Sequence, residues 1–429
     1  MKISFISSKE YAAYTVRKLK LENENTQKTR VISQFHLLKW PDHGTPDVMH
    51  FALLLLHMDS VNSKLSGPIV VHCSAGVGRT GTFIASDVLF RHGKSTGRVD
   101  PPAYVQSMRQ DRMDMVQTKP QYVFIYHALV ELFLIDNTKL TAGDFDSNCL
   151  KSSRLLQEYK KLNGKRPTIP EDLMSNGLMP QNQRKNRDQE ILPGNQHRPL
   201  LSSHPANKTD YINAVFLPTV QRYEGYIATQ WPLPETADDF WAMIHDYRST
   251  AVVILDSDAD TNDPNLMPSG EEPKISAGIF SVQTSSDPWT EGSIAIAEVY
   301  LTKVGDKDSQ KLKIFKICDW PNDEQTCPEG CVTQIVYASQ EWQRNVTSAG
   351  PITVVCRNGA SKSGVFCTVA NAIENINLNH HMSLVQVVRQ LQLRRPSFIN
   401  TYESYVMCNR EVKVHFDSLS EYQNYEGPS

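Results

Sequence analysis

Short apolar stretches separated by polar ones run through the whole chain. The β-branched run 67–72 predicts a buried strand, and the apolar spacing from Phe83 to Leu89 just after it predicts a helix. Apolar residues at helical spacing over 152–162 predict another helix. The longest apolar run, 51–56, indicates only a short buried segment, because a membrane span needs roughly 20 such residues.

The composition is that of an ordinary globular protein. Hydrophobic residues make up 40% and charged residues 21% of the chain, which excludes a disordered or fibrous protein. The 429 residues predict two or three domains. The 44 Lys and Arg against 47 Asp and Glu give a net charge of −3, so nothing indicates binding to nucleic acid or to an anionic membrane. Eight scattered cysteines form neither a disulfide framework nor a zinc-site spacing, which indicates a soluble chain in a reducing compartment.

An internal repeat organises the sequence. The motif Trp-Pro-Asp at 40–42 recurs as Trp-Pro-Asn at 320–322. The segment that ends in Cys73 recurs in the segment that ends in Cys356. A third pair of similar segments, 115–118 and 398–401, has the same separation as the two cysteines. Three matches in the same order and at nearly the same spacing indicate a tandem duplication.

The two copies differ in length. The second extends upstream of Trp320 to about Leu150, whereas only the segment 1–39 precedes Trp40, so we expect the first domain to lack about half of its length. The polar end of the chain, after about Phe416, is expected to fray or to dock only weakly. The predicted divisions are the C-terminal half of a domain at 1–135, a linker at 136–151, a second domain at 152–416 and a tail at 417–429.

The clearest candidate chemistry lies directly after the first predicted strand. Cys73 opens a loop of small residues that leads into the predicted helix, so backbone N–H groups and the positive end of the helix dipole converge there on an anion. Arg79 adds a planar guanidinium that binds two phosphate oxygens at once. The same positive field should lower the pKa of the Cys73 thiol from about 8.5 and leave a nucleophilic thiolate. The residues expected to cradle the anion are Ser74, Ala75, Gly76, Val77 and Gly78.

The whole loop is more informative than its cysteine and arginine. A Cys-x5-Arg spacing alone is a weak signal, because a lone cysteine is usually a small buried residue. The full string at 72–81, His-Cys-Ser-Ala-Gly-Val-Gly-Arg-Thr-Gly, resembles the signature of the protein tyrosine phosphatase family. This resemblance implies α/β domains, each a highly twisted mixed sheet flanked by helices, and a reaction that needs no metal or other cofactor.

The resemblance assigns roles to further residues of the first copy. Asp42 lies in the motif Trp-Pro-Asp-His-Gly upstream of the cysteine, and it matches the acid that protonates the leaving tyrosine oxygen and later acts as a base toward water. Trp40 of the same motif is expected to contribute to substrate binding. Gln117 and Gln121 match the glutamines that position the water. Two more residues match those that assist release of the thiolate and maintain its surroundings, Thr80 and His72.

The second copy retains the cysteine and loses the other groups. Lys362 stands at the arginine position, and an ammonium is a point charge without a two-pronged geometry. Asn322 replaces the acid and has no carboxylic proton to give. The remaining losses are Val355 for the histidine and Asn400 and Ser404 for the two glutamines. Catalysis at Cys356 is therefore not expected, and this unit is either a scaffold with a relic pocket or a phosphotyrosine- or partner-binding regulatory module.

An active copy followed by a degenerate one is the arrangement of receptor-type tyrosine phosphatases. The segments 115–129, 226–241 and 415–425 are most similar to the alpha/epsilon group of that family. The resemblance implies phosphotyrosine-containing proteins as substrates and a cytoplasmic location. It also implies membrane attachment only through a segment absent from this chain, and contacts between domains of one chain or of two copies.

Three functions stay open at the level of the sequence. The first is hydrolysis of phosphotyrosine in proteins through a phosphocysteine intermediate, with an inactive regulatory second domain. The second is a non-catalytic binding module, because half a domain with exposed sheet edges is a poor folding unit. The third is another Cys-x5-Arg enzyme. A lipid phosphatase would favour lysines in the loop 74–78, which has none, and a sulfur transferase would not need Asp42 and Gln117.

Overall fold

The computed structural model of the protein describes residues 1–41, 44–62, 67–141, 145, 150–203, 208–256, 262–320 and 326–426. Backbone contacts divide the chain into two compact units, Met1–Thr138 and Lys139–Ser429. Both units contain strands and helices, and the large sheet of the second is mixed, which confirms the predicted α/β class. No helix in these ranges is both long and apolar enough to cross a membrane.

Within the described ranges, the first unit is a three-stranded antiparallel sheet followed by four helices. The strands pair in chain order and are β1 (Lys2–Glu10), β2 (Tyr14–Glu22) and β3 (Thr29–Leu37). The helices are α1 (Val48–Asn62), α2 (Gly78–Thr96), α3 (Pro101–Asp111) and α4 (Lys119–Ile135). The predicted helix at 83–89 is confirmed, because it lies within α2.

Local sequence signals set the ends of the helices that frame the candidate loop. Gly97 ends α2 in the left-handed conformation, with a φ of 73° that favours glycine. Thr118 caps α4, since its hydroxyl oxygen accepts the backbone N–H of Gln121 at 3.3 Å. Helix α4 therefore begins at a defined residue between Gln117 and Gln121, and this start positions both glutamines.

Aromatic side chains join the sheet of the first unit to its helices. The ring of Tyr14 stacks on Tyr11 with centroids 4.7 Å apart, and its hydroxyl hydrogen-bonds to Nδ1 of His57 on α1 at 3.1 Å. Elsewhere on α1, Phe51 packs edge-on against Phe124 of α4 with centroids 5.1 Å apart. The unit thus has a small core of its own, built on α1.

The second unit is larger. Its strands are β4 (Leu140–Thr141), β5 (Ala214–Leu217), β6 (Tyr226–Gln230), β7 (Ala251–Ile254), β8 (Lys274–Ala277), β9 (Phe280–Thr284), β10 (Trp289–Glu291), β11 (Ile294–Lys303), β12 (Gln310–Ile317), β13 (Ile352–Cys356) and β14 (His381–Met382). Its α-helices are α5 (Ser152–Asn163), α6 (Ser175–Leu178), α7 (Pro180–Gln183), α8 (Ala237–Asp246), α9 (Cys331–Asn345), α10 (Ser361–Asn379), α11 (Leu384–Gln392) and α12 (Tyr402–Glu426). Short 3-10 helices lie at Glu171–Met174 and Pro234–Thr236. Helix α5 confirms the helix predicted at 152–162.

Nine of the described strands form one mixed sheet. Their order is β5-β6-β13-β7-β12-β11-β9-β8, with β10 paired to β11. The central strands β6, β13, β7 and β12 run parallel to one another. All five residues of β13 are buried, as expected of a parallel strand covered on both faces. This strand ends at Cys356, so the second cysteine lies at the carboxyl end of the central strand.

The two units repeat the same elements at the spacing found in the sequence. Helices α1, α2, α3 and α4 of the first unit correspond in order to α9, α10, α11 and α12, and the first residues of each pair are separated by the same distance along the chain as Cys73 and Cys356. Strands β3 and β12 also correspond, because their last residues have the same separation along the chain as the two Trp-Pro motifs. The duplication is therefore one of structure as well as of sequence.

The strand predicted at 67–72 is wrong. This segment is outside any strand, and Val70 is 84% exposed, whereas its counterpart β13 is buried at the centre of a sheet. A strand needs neighbours to pair its backbone groups, and β13 has β6 on one side and β7 on the other. In the described part of the first unit, β1, β2 and β3 pair among themselves and leave 67–72 without such neighbours.

The end of the chain also differs from expectation. The tail predicted to fray from residue 417 is helical as far as Glu426, because α12 meets no glycine or proline before Gly427. Within the segment predicted as a linker, β4 pairs with β14 of the second unit. Phe145 is fully buried there and stacks on Phe416 with centroids 4.7 Å apart.

Candidate active site

The sulfur of Cys73 lies within a ring of hydrogen-bond donors. The backbone N–H of Gly76 donates to Sγ at 3.2 Å, and the hydroxyl of Thr80 donates to it at 3.1 Å. Gly76 has a φ of 72°, a left-handed conformation that lets the loop turn its N–H groups inward. The loop then enters α2 at Gly78, so the sulfur faces the positive end of this helix.

These donors determine the charge of the cysteine. Partial burial raises the pKa of the Cys73 thiol, but hydrogen bonds from the Thr80 hydroxyl and from the N–H groups of Thr80, Gly76 and Val77 lower it by more. The net pKa is below the ordinary value of a cysteine, because these donors stabilise the thiolate. The site therefore favours a nucleophilic sulfur.

The two predicted glutamines lie against the cysteine loop. A Cβ atom on Gly78 would come within 3.2 Å of the amide oxygens of both Gln117 and Gln121. Gln121 is buried, and its Oε1 accepts the backbone N–H of Gln117 at 3.1 Å. The N–H of Val116 also donates to the carbonyl of Val77 at 3.3 Å. A Cβ atom at position 78 would be in tight contact with both amide groups, which would have to shift by a few tenths of an ångström, so glycine favours the close approach.

Two arginines that the sequence reasoning missed brace this arrangement. Arg112 donates from Nη2 to the carbonyl of Ala75 at 3.0 Å. Arg109 donates to the carbonyls of Met115 and Val116 at 2.9 and 2.8 Å. Both side chains bind backbone oxygens of loops, and no local pattern in the sequence indicates such a contact.

The other residues predicted for the first site differ in their burial and in their contacts. Trp40 donates from Nε1 to the carbonyl of Gly44 at 3.0 Å, and its ring packs against Phe51 and Phe124 with centroids 5.7 and 6.2 Å away. It therefore anchors its loop on the core of the unit. Arg79 is the second residue of α2 and is half-buried. His72 and Ser74 are exposed, and Asp42 lies outside the described residues.

The site in the second unit is more enclosed. A cavity of about 640 Å³ is lined by residues that include Cys356, Lys362, Asn400 and Ser404. Burial raises the pKa of the Cys356 thiol and the nearby Asp256 carboxylate raises it further, although the Ser363 hydroxyl donates to Sγ at 3.0 Å. The second cysteine is therefore biased toward the neutral thiol. Asn322, the expected replacement for the acid, lies outside the described residues.

Two charged groups of this second site, Lys362 and Asp256, neutralise each other. The ammonium of Lys362 lies 2.8 Å from Oδ1 of Asp256 and donates to the carbonyl of Trp320 at 2.8 Å. Both side chains of this ion pair are less than one-tenth exposed. The lysine at the arginine position is thus already bound within the unit.

Comparison with known proteins defines the class. The model of the protein-tyrosine phosphatase family matches residues 1–131 and 182–413. These stretches cover most of both units, so the chain belongs to the protein-tyrosine phosphatase family.

Individual relatives have receptor-type names. The chain is 32% identical to receptor-type tyrosine-protein phosphatase alpha of Mus musculus over 96% of this chain and 51% of that protein. It is 31% identical to receptor-type tyrosine-protein phosphatase epsilon of Homo sapiens over 96% of this chain and 61% of that protein. Identity to receptor-type tyrosine-protein phosphatase F of Rattus norvegicus is 30% over 98% of this chain and 23% of that protein. The predicted resemblance is confirmed, and the chain spans about half the length of the curated relatives alpha and epsilon that it matches.

Proposed function

We propose that the first unit hydrolyses phosphotyrosine in proteins through a phosphocysteine intermediate, and that the second unit is catalytically silent and regulatory. The observation that carries this proposal is the Cys73 sulfur, which accepts hydrogen bonds from Gly76 and Thr80 and has a lowered pKa at the start of α2. The relatives' names, receptor-type tyrosine-protein phosphatases, support phosphotyrosine-containing proteins as substrates. A cytoplasmic location is part of this proposal and rests on the family resemblance.

The first step is a displacement at phosphorus. The Cys73 thiolate attacks the phosphorus atom, an S–P bond forms and the bond from phosphorus to the tyrosine oxygen breaks. Asp42, whose role rests on its motif, gives its carboxylic proton to this oxygen, so that neutral tyrosine leaves. Arg79 and the inward N–H groups of the loop bind the phosphoryl oxygens, where negative charge accumulates in the transition state.

The second step returns the cysteine. Water attacks the phosphorus of phosphocysteine, the S–P bond breaks and inorganic phosphate is released. Asp42, now a carboxylate, accepts the proton of this water. The hydroxyl of Thr80, 3.1 Å from Sγ, donates a hydrogen bond to the departing thiolate. Gln117 and Gln121 lie against Gly78 of the same loop, which supports their role in positioning the water.

A non-catalytic binding role is the second candidate. The exposed segment 67–72 favours it, because the residues that lead into Cys73 lack the strand pairing that holds Cys356. A loop whose preceding segment lies outside any strand would hold its N–H groups less precisely around the phosphate, and catalysis depends on such precision.

The test is the initial rate of hydrolysis of a phosphotyrosine peptide by the full chain. We expect turnover that vanadate inhibits, that Cys73→Ser abolishes and that the matched variant Cys356→Ser retains. A cooperative thermal melt followed by circular dichroism accompanies each variant. No turnover from a chain that melts cooperatively would refute the catalytic proposal in favour of the binding role. Loss of turnover in Cys356→Ser would refute the proposal that the second unit is catalytically silent.

A further inference from the structure

The cysteine loop of the second unit contains an internal ligand. Oδ1 of Asn358 accepts the backbone N–H groups of Ala360 and Ser361, each at 3.0 Å, and the hydroxyl of Ser361 at 2.9 Å. The thiol of Cys356 approaches the same oxygen at 3.6 Å. The carboxamide oxygen of Asn358 therefore accepts hydrogen bonds from residues at both ends of the loop and lies beside the cysteine.

The first unit directs the equivalent donors elsewhere. Asn358 occupies the position of Ala75 in the first loop, two residues after the cysteine, and alanine has no side-chain acceptor. The N–H of Val77 is among the groups that lower the pKa of Cys73 by hydrogen bonding. Its counterpart, the N–H of Ala360, donates instead to Asn358. The asparagine at this position thus accepts an N–H group that would otherwise be available to the cysteine thiolate and to a bound phosphoryl oxygen.

The frame of the loop is the same in both units. Gly359 has a φ of 68° against 72° for Gly76. Arg395, the counterpart of Arg112 in the repeat, donates to the carbonyl of Gly359 at 2.7 Å, much as Arg112 braces Ala75. An oxyanion could therefore occupy the second loop without a change of its backbone, provided that its donors were available.

One ion pair of the second site, between Lys362 and Asp256, also disfavours an anion. Lys362 stands where Arg79 stands in the first unit, and its ammonium is paired with the buried carboxylate of Asp256 at 2.8 Å. The other oxygen of Asp256 accepts the backbone N–H of Arg357, within the loop itself. A dianion entering the cavity would meet this carboxylate and a cation that is already neutralised.

We propose that the second unit closes its own oxyanion cradle with the side-chain oxygen of Asn358, an autoinhibitory contact that occupies the position of a phosphoryl oxygen and excludes phosphotyrosine from the cavity. The inference deepens the proposed silent role of this unit and rests on it. It also decides against phosphotyrosine capture as its regulatory mode, because the N–H groups of Ala360 and Ser361, which would bind a phosphoryl oxygen, already donate to Asn358.

The test uses inorganic tungstate, a tetrahedral dianion, titrated calorimetrically into the full chain. The parent for the second-unit measurements carries Arg79→Ala, which removes the guanidinium and so weakens anion binding by the first unit. We expect Asn358→Ala to bind tungstate about tenfold or more tightly than the parent, because its freed donors gain a charged acceptor. The matched variant Asn358→Asp keeps an acceptor oxygen in the same place and should show no gain.

A second variant separates the effect of the Asn358 oxygen on anion binding from that of the Asp256 carboxylate. Asp256→Asn removes the buried carboxylate charge, and it should allow tungstate binding only when combined with Asn358→Ala. The proposal is overturned if neither Asn358→Ala nor the double variant gains affinity while the thermal melt stays cooperative. It is equally overturned if Asn358→Asp gains as much affinity as Asn358→Ala.

A reciprocal substitution tests the same contact if the second-unit variants do not fold. In the otherwise unchanged chain, Ala75→Asn should weaken tungstate binding at the first site about tenfold or more, whereas Ala75→Leu, of similar size without an acceptor, should weaken it less. Equal weakening by both variants would contradict the proposal. Failure of the unchanged chain to bind tungstate would instead count against the proposed function of the first unit.

Discussion

The loops after Cys73 and Cys356 share a backbone and differ in their electrostatics. Both turn through a left-handed glycine, and both are braced by an arginine that binds a loop carbonyl. In the first loop the donors converge on the sulfur and lower its pKa. In the second, the N–H groups of Ala360 and Ser361 donate to an asparagine oxygen instead, and burial and the Asp256 carboxylate raise the cysteine pKa although Ser363 still donates to the sulfur. The backbone conformation of such a loop is therefore separable from the charge state of its cysteine. A few side chains change the preferred state of the cysteine from thiolate to thiol and leave the backbone conformation intact.

The segments that lead into the two cysteines have similar sequences but different surroundings, and here the second unit has the more favourable arrangement. Residues 68–72 and 351–355 are similar in sequence, yet the first is exposed and the second lies mostly within a buried strand. The first loop thus has favourable chemistry on a weakly supported segment, and the second has unfavourable chemistry on a rigid one.

Hydrogen exchange should show the largest difference between the units. We expect backbone amides at 352–356 to exchange more slowly than those at 69–73 by a factor on the order of 10³ or more, because central strands open only with much of the fold. Amides within α2 serve as the control, since slow exchange there establishes that the first unit is folded. Equal protection of both segments, measured by mass spectrometry, would show that 69–73 is paired in solution.

Exchanging the cations should have the next largest effect. Arg79→Lys copies the second loop into the first and should lower kcat/KM for a phosphotyrosine peptide by a factor on the order of 10²–10³, because an ammonium cannot bind two phosphoryl oxygens in one plane. Lys362→Arg in the silent unit should leave this rate unchanged. An undiminished rate in Arg79→Lys, at matched melting temperature, would mean that the guanidinium does not bind the phosphoryl group.

Removing one donor to the sulfur should have a smaller effect. Thr80→Ala deletes a hydrogen bond to the thiolate, so the Cys73 pKa should rise toward its ordinary value and the thiolate fraction at neutral pH should fall. We expect alkylation of Cys73 by iodoacetamide near pH 7 to slow by about tenfold. The midpoint of its pH profile should move to higher pH.

The matched control for this variant is Thr80→Ser, which keeps the hydroxyl that the second unit has at Ser363 and should keep the parent profile. Peptide mapping by mass spectrometry resolves Cys73 from the other cysteines. A profile that is unchanged in Thr80→Ala would show that the loop N–H groups alone set the pKa.

Much of the organisation was readable from the sequence because it depends on local pattern and repetition. The duplication, the helices at 83–89 and 152–162, and the loop around Cys73 all follow from residues close together in the chain or from a repeated order of motifs, and the duplication and both helices are confirmed. The substitution of Lys362 for arginine was equally visible. Its pairing with Asp256 was not, because the two positions are far apart in the chain.

The features that depend on neighbours in space could not be read in this way. The run 67–72 has the composition of a strand but no partner strands in the described first unit, so the same β-branched pattern is exposed there and buried at 352–356. Arg112 and Arg109 bind carbonyls that no spacing rule connects to them. The order of amino acids specifies which side chains each loop offers. The fold specifies what those side chains meet, because hydrogen bonds and burial depend on distance in space and not along the chain.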